Sequence, residues 1–240
     1  MTHYYDRDEF KLPSVTSIIS DCSNKSGPLT QWAANMTVEW IKANCAASQV
    51  EFDETLWTVT QEDLNSARFN FREVSQEALD IGSAVHSAIE TWLKHGKEPI
   101  NPSEQVLAGF VAFLEFYDKH DMKPRELEFS VYGDYWAGTL DYYGWFNEKR
   151  YVIDLKTSKA HYPDEHGPQI AAYRSALSET THYIIDGCGI LRLDKETGYP
   201  DFKDYSKRYE KDLKTFFLMK ELYLHRHPKI AKKAGFNPPF

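Results

Sequence analysis

The segment Tyr151-Val-Ile-Asp-Leu-Lys156 carries the sharpest chemical signal in the chain. Tyr151, Val152 and Ile153 lead into Asp154, Leu155 and Lys156. On a strand, Asp154 and Lys156 are two apart and share a face. A carboxylate and an ammonium at the end of a buried strand are costly unless they are paired or bound to a metal. Alone, an Asp-x-Lys is most often a solvated ion pair at a strand end. The stretch before it, Gly138-Thr-Leu-Asp141, shifts that balance. In a hairpin about Asn147-Glu148, Asp141 and Asp154 lie side by side and repel unless a cation sits between them. An oxygen-rich site of this kind suits Mg²⁺ or Mn²⁺. Glu128 is a third candidate carboxylate or an exposed strand residue. Gly138 leaves room for the close approach of another backbone or a substrate.

Helical positions extend the set. Gln169 and Tyr173 are four apart and share a helix face. In Gly82-Ser-Ala-Val-His86, the histidine falls one turn after the glycine, and Glu90 one turn further. A histidine beside an apolar face is more often a satisfied core residue than a functional one.

These residues need a scaffold that alternates helix and strand. Apolar residues recur near a 3.6 period at Leu29, Trp32, Ala33, Met36, Trp40 and Ile41, after the turn signal Ser26-Gly27-Pro28. A longer pattern, Val74, Ala78, Ile81, Val85, Ala88, Ile89 and Trp92, stops at His95-Gly96. A third helix starts near Ser103 and runs through Tyr117. Glu126 to Tyr132, Tyr135 to Trp145 and Lys149 to Lys156 read as a three-stranded meander, with turns at Gly133-Asp134 and Asn147-Glu148. A loop with Pro163 and Gly167 precedes a short helix over Pro168 to Leu177. A strand from His182 to Leu193 and a helix from Tyr205 to Leu224 complete the order. The expected class is α/β (α+β), with helices packed on a sheet.

The chain has 240 residues, enough to bury a core without disulfides or structural metal. Hydrophobic residues make up 42% and charged residues 27%, which argues against global disorder. The net charge of −8 counts against a nucleic-acid binder that relies on bulk electrostatics. The charge is uneven: between Tyr205 and Lys233 there are nine basic and three acidic residues. That stretch is either a phosphate-contacting surface or a solvated helix face. Arg68 and Arg72 are further phosphate-contact candidates. Trp57, Phe69 and Phe71 could stack on bases or belong to a core. No apolar run approaches a membrane span, and Met1 to Phe10 has no signal-peptide core. Cys22, Cys45 and Cys188 suit reduced thiols in a cytosolic protein. Three cysteines are too few for a four-cysteine zinc or iron–sulfur site.

Taken together, the set resembles the PD-(D/E)XK nuclease superfamily, in its branch of RecB-type domains and phage exonucleases. The likeness rests on Leu12-Pro-Ser-Val-Thr-Ser-Ile-Ile19, Gly82-x-x-x-His86, Glu128, Gly138-Thr-Leu-Asp141, Asp154-Leu-Lys-Thr-Ser158 and Gln169-x-x-x-Tyr173. Each motif is weak alone; their order and spacing give the likeness its weight.

The resemblance implies a restriction-endonuclease-like core of helix, three-strand meander, helix and strand. Added N-terminal helices and a C-terminal helix would surround it. Residues 1–240 would form one nuclease domain: 1–120 mainly helical and substrate-guiding, 121–200 the sheet core, 201–240 a basic helix and tail. It implies one or two Mg²⁺ or Mn²⁺ ions on Asp141, Asp154, the Leu155 carbonyl, His86 and Glu128, and no iron–sulfur cluster. Lys156 would orient or activate the attacking water, and Gln169 and Tyr173 would position phosphate and catalytic groups. Arg68, Arg72, Ser158 and Lys159 are the expected DNA contacts. The implied activity is that of a DNA exonuclease in recombination, repair or phage DNA processing. It would act in the cytoplasm on single- or double-stranded DNA ends, with a phage recombination or single-strand-binding protein as partner and no membrane. A structure-specific endonuclease of the same fold and a non-cutting DNA-binding recombination protein are the alternatives.

Overall fold

A computed structural model describes residues 4–23, 26–50 and 54–236. Its centre is a five-stranded sheet in sequence order: β5 (Met122–Gly133), β6 (Trp136–Phe146), β7 (Lys149–Lys156), β8 (Gly187–Leu193) and β9 (Pro200–Asp204). All neighbours run antiparallel except β7 and β8, which are parallel. That parallel pair requires a crossover, supplied by α6 (Pro163–Thr181). The chain is therefore mixed α/β, as expected from the order of periodic segments.

Before the sheet come a hairpin of β1 (Tyr4–Arg7) and β2 (Phe10–Pro13), then α1 (Val15–Cys22) and α2 (Ser26–Asn44). A second hairpin, β3 (Ala46–Val50) and β4 (Glu54–Thr58), leads to α3 (Gln61–Ala67), α4 (Asn70–His95) and α5 (Glu104–Lys119). After the sheet come α7 (Tyr209–Arg226) and α8 (Pro228–Lys233). Cα packing divides the chain into two compact units, Met1–Ser23 with Gly82–Phe240, and Asn24–Ile81. Among the described residues, no helix is long and apolar enough to cross a membrane.

Each face of the sheet has its own packing. On one, Val131, Leu140, Val152 and Ile190 pack with Ile18, Ile170, Tyr173, Ala176 and Phe216. On the other, Met122, Leu127, Tyr142, Ile153 and Leu155 line a cleft with Ile89 of α4 and Phe113 of α5. The β6–β7 turn follows the hairpin rule: Asn147 and Glu148 both take positive φ, 47° and 64°.

Several expected boundaries move for local reasons. The expected loop holding Pro163 and Gly167 is helix. Pro163 is a first-turn residue, where a missing N–H costs nothing, and α6 continues through Gly167 and Pro168. The strand expected from His182 begins at Gly187, because His182 ends α6 in the left-handed conformation, φ 57°. The strand expected from Glu126 starts at Met122 and bends between Pro124 and Glu126. Strand β9, both hairpins, α1, α3 and α8 are additions to the expected order.

The motif Leu12 to Ile19 has a structural role. Ser14 caps α1, accepting from the Ser17 N–H at 3.0 Å, and pairs with Ala137 of β6. Val15, Ile18 and Ile19 enter the core.

Candidate functional site

Beyond the pair Tyr142–Ile153, β6 and β7 cease to pair, and Asp141 lies at this fork. Residues two apart on a regular strand share a face. Yet Leu127 lines the α4–α5 cleft while Phe129 packs on the α6 side. Leu140 and Tyr142 divide in the same way. Both strands thus change face at one level, at Glu128 and Asp141. Glu128 is left-handed, φ 49°, a conformation that costs a non-glycine residue about 1–2 kcal/mol. Strain of this kind concentrates at functional sites.

The fork gathers two groups of side chains. In the first, His86, Glu128 and Asp141 each offer a donor atom, and these atoms all lie within 4.8 Å of one another. His86 Nδ1 is 3.4 Å from Asp141 Oδ1. The other Asp141 oxygen accepts the Leu155 N–H at 2.6 Å, which ties the carboxylate to the end of β7. In the second group, Lys156 Nζ lies 2.6 Å from Asp154 Oδ2. Gln169 Nε2 donates to Asp154 Oδ1 at 3.1 Å and to the Tyr173 hydroxyl at 3.3 Å. Asp154, Gln169 and Tyr173 are buried, whereas the Lys156 side chain keeps a quarter of its surface exposed.

Two glycines make the approach possible. A Cβ on Gly82 would lie 3.0 Å from Thr157 Oγ1, so Gly82 lets α4 reach the end of β7 one turn before His86. A Cβ on Gly138 would lie 2.4 Å from the Tyr173 ring. The space expected at Gly138 for a backbone or substrate is occupied by that ring.

The electrostatics follow from three carboxyls around one ammonium and one imidazole. Burial, then the charge of Asp141, pushes Glu128 up to about 7. Burial raises Asp154 to about 6; Lys156 opposes that and Asp141 adds to it. Burial alone would depress His86, but Asp141 beside it carries the imidazole up to about 9. Burial likewise disfavours the Lys156 charge, and Asp154 with Asp141 raises it nonetheless. Asp141 is held low by His86 against the effect of burial. Burial keeps Tyr173 protonated, so its hydroxyl remains a donor.

The donor set suits a hard divalent cation: two carboxylates and one imidazole converge, and a bound cation would displace the proton that Asp141 favours on His86. Asp154 stands outside this trio, engaged by Lys156 and Gln169. Leu155 lines the same cleft as His86, Glu128 and Asp141, and its N–H is committed to Asp141. Glu90 also lines the cleft and pairs with Lys94.

The expected DNA contacts divide between the two units. Ser158 and Lys159 follow β7, and the Ser158 hydroxyl donates to the Ala160 carbonyl at 2.9 Å. Arg68 and Arg72 belong to the unit Asn24–Ile81, where their guanidinium carbons sit 4.5 and 4.7 Å from the Phe69 ring centre. Phe71 meets Trp32 edge to face in the same unit. The basic stretch after Tyr205 is partly neutralised within the fold: Arg208 pairs with Asp212 and Arg226 with Asp21.

Sequence reasoning missed the change of face. Its one signal is the run Leu140-Asp-Tyr-Tyr143, where Tyr142 and Tyr143 are adjacent and both buried. No protein-family model matches the chain, and no curated protein matches it.

Proposed function

We propose that this protein is a divalent-metal-dependent deoxyribonuclease built on a restriction-endonuclease-like core, and that it acts as an exonuclease. One observation carries the hydrolytic reading: three carboxylates and a histidine converge on a strand end beside a single lysine, with the donors of His86, Glu128 and Asp141 within 4.8 Å. The preference for DNA ends rests on the motif resemblance.

His86, Glu128 and Asp141 would hold the metal, with Asp154 and the Leu155 carbonyl close by. When bound, Mg²⁺ or Mn²⁺ lowers the pKa of a water and binds phosphate oxygens. The chain's own groups account for the remainder. Asp154 holds the Lys156 ammonium at a fixed place, so its charge faces developing negative charge without reorganisation. Gln169 fixes the other Asp154 oxygen and is itself braced by Tyr173. Leu155 locks the Asp141 carboxylate. Fixing donors in advance favours attack in line.

The test is cleavage of end-labelled single- and double-stranded DNA, linear and circular, with Mg²⁺, Mn²⁺ or chelator. Metal-dependent loss of linear substrate is expected. Cleavage that persists in chelator would refute the metal, and equal cutting of circles would make the enzyme an endonuclease.

A further inference from the structure

The two parallel strands β7 and β8 end together, with Lys156 paired to Arg192. In open α/β sheets, ligands bind outside the carboxyl ends of such strands. At this end lies a cleft of about 90 Å³, lined by Thr157, Ser158, Lys159, Arg192, Asp194, Lys195 and Glu196. It begins one residue beyond Lys156.

The charges in this cleft are unequally committed. Asp194 is fully used: Oδ1 accepts the Glu196 and Thr197 N–H groups at 2.9 Å each, and Oδ2 accepts from Arg192 Nη1 at 2.9 Å. Arg192 is thereby fixed, with its Nε 3.3 Å from Asp201 Oδ2 and its Nη1 3.5 Å from the Lys159 carbonyl. Its Nη2 has no hydrogen-bond partner among the described residues. Lys159 and Lys195 form no ion pair among the described residues. What remains free is two ammonium groups and one edge of a braced guanidinium. That set suits a compact anion with several acceptor oxygens. Glu196 is exposed at the rim and opposes it.

We propose that this cleft binds a phosphate group and that, on the nuclease reading above, the group is a backbone phosphate of the nucleic-acid substrate. The cleft then supplies grip next to a site crowded with carboxyls. It also gives a chain of net charge −8 a local hold on its substrate.

The experiment uses full-length protein and the Lys159→Ala/Lys195→Ala variant, whose substitutions lie at a solvent-open cleft. Binding of a fluorescent 20-nucleotide DNA, single-stranded and duplex, is followed by anisotropy over a range of salt in Ca²⁺. Inorganic phosphate is titrated separately by amide NMR. The variant should bind DNA about tenfold more weakly, and its salt slope should fall by about one, the value for one lost phosphate contact. Equal affinity and slope in the two proteins would overturn the proposal while leaving the nuclease reading intact. If wild type neither binds nor cuts DNA, yet inorganic phosphate shifts the Ser158 and Lys195 amides only when both lysines are present, the nuclease reading falls. The cleft is then a site for free phosphate. Absence of both responses would overturn both.

Discussion

The two ends of β7 carry the same kinds of group to opposite effect. At the start, Arg150 meets Asp186 in a fork: backbone N–H and Nε reach one oxygen at 2.8 and 2.9 Å, and Nη2 reaches the other at 3.3 Å. One acid faces one base at a partly exposed margin, and Asp186 is held below the usual carboxylate range by Arg150. At the finish, Asp154 and Lys156 form an equally close pair, but Asp141 and Glu128 press in beside them. There the carboxyls of Glu128 and Asp154 are pushed up, the first by burial and then by Asp141. The start is balanced and therefore structural. The finish crowds three carboxyls around Lys156 and His86, and two of them resist ionisation, a cost that a fold tolerates where a ligand cation offsets it.

The largest effect separating the two ends should be on catalysis. Asp141→Asn keeps the shape of the side chain and removes the charge that links His86 to the end of β7. Cleavage should fall by about a thousandfold or more, the scale of losing a preorganised charged group. Arg150→Ala should leave the turnover number within about twofold, because Arg150 lies at the other end of the strand. Gel assays of both variants, with far-ultraviolet circular dichroism to verify folding, read this directly. Near-equal losses would erase the distinction between the ends.

Next in size is the response to metal. A cation that binds only the folded protein stabilises it by about 2.7 kcal/mol at a hundred times its Kd. For a chain of this size that is roughly 5–10 °C in Tm. Saturating Mn²⁺ should raise Tm by that amount in wild type, and chelator should reverse it. Glu128→Gln removes one donor charge and the repulsion with Asp141. Its Tm in chelator should equal or exceed that of wild type, while the Mn²⁺ increment shrinks to less than half. Scanning fluorimetry with and without metal checks both. A full Mn²⁺ increment in Glu128→Gln would remove Glu128 from the donor set.

Much of this contrast was legible beforehand because it depends on local spacing. Asp154-x-Lys156 shares a face on any strand, Gln169 and Tyr173 share one on any helix, and the structure brings all four side chains together. The Asn147-Glu148 hairpin follows from turn chemistry alone. What stayed hidden depends on tertiary geometry. The left-handed turn at Glu128 has no glycine to announce it, and the change of face at Asp141 breaks the period that strand reading assumes. The cleft at the ends of β7 and β8 joins segments more than thirty residues apart, which the parallel pairing of these strands places together. Pro163 and Gly167 misled because such residues read as breakers, whereas here one opens the helix and the other lies inside it against Asp212.

A smaller effect should appear at Gly138. An added methyl meets the Tyr173 ring, and overpacking a tight core costs about 1–3 kcal/mol. Gly138→Ala should lower Tm and also weaken cleavage, since the displaced ring is the brace of Gln169. Combining it with Tyr173→Leu should recover part of the stability and none of the activity, with a coupling of about 0.5–3 kcal/mol in a double-mutant cycle. Additive losses would show that the ring and the glycine do not press on each other.

The smallest effect belongs to the balanced end. Asp186 has its carboxyl held below the value of about 3.9 expected in an unfolded chain. A depressed carboxylate contributes its stability fully above the unfolded value, and that contribution is lost as pH falls through the folded one. Urea titrations of wild type and Asp186→Asn should therefore differ most at neutral pH and converge as the pH falls below about 4. The pair is partly exposed, so the neutral-pH difference should stay within about 1 kcal/mol and shrink further in salt. The contrast sharpens if the same titration on Asp154→Asn behaves in reverse in chelator. There the wild-type carboxyl is raised to about 6 by burial, so ionising it costs stability as pH rises through that value. A gap between Asp154→Asn and wild type that widens in favour of the variant from about pH 4 to 7 marks that end as charged for a ligand's sake. A gap that stays constant over the same interval would mean that Lys156 alone neutralises Asp154, leaving the two ends of β7 alike.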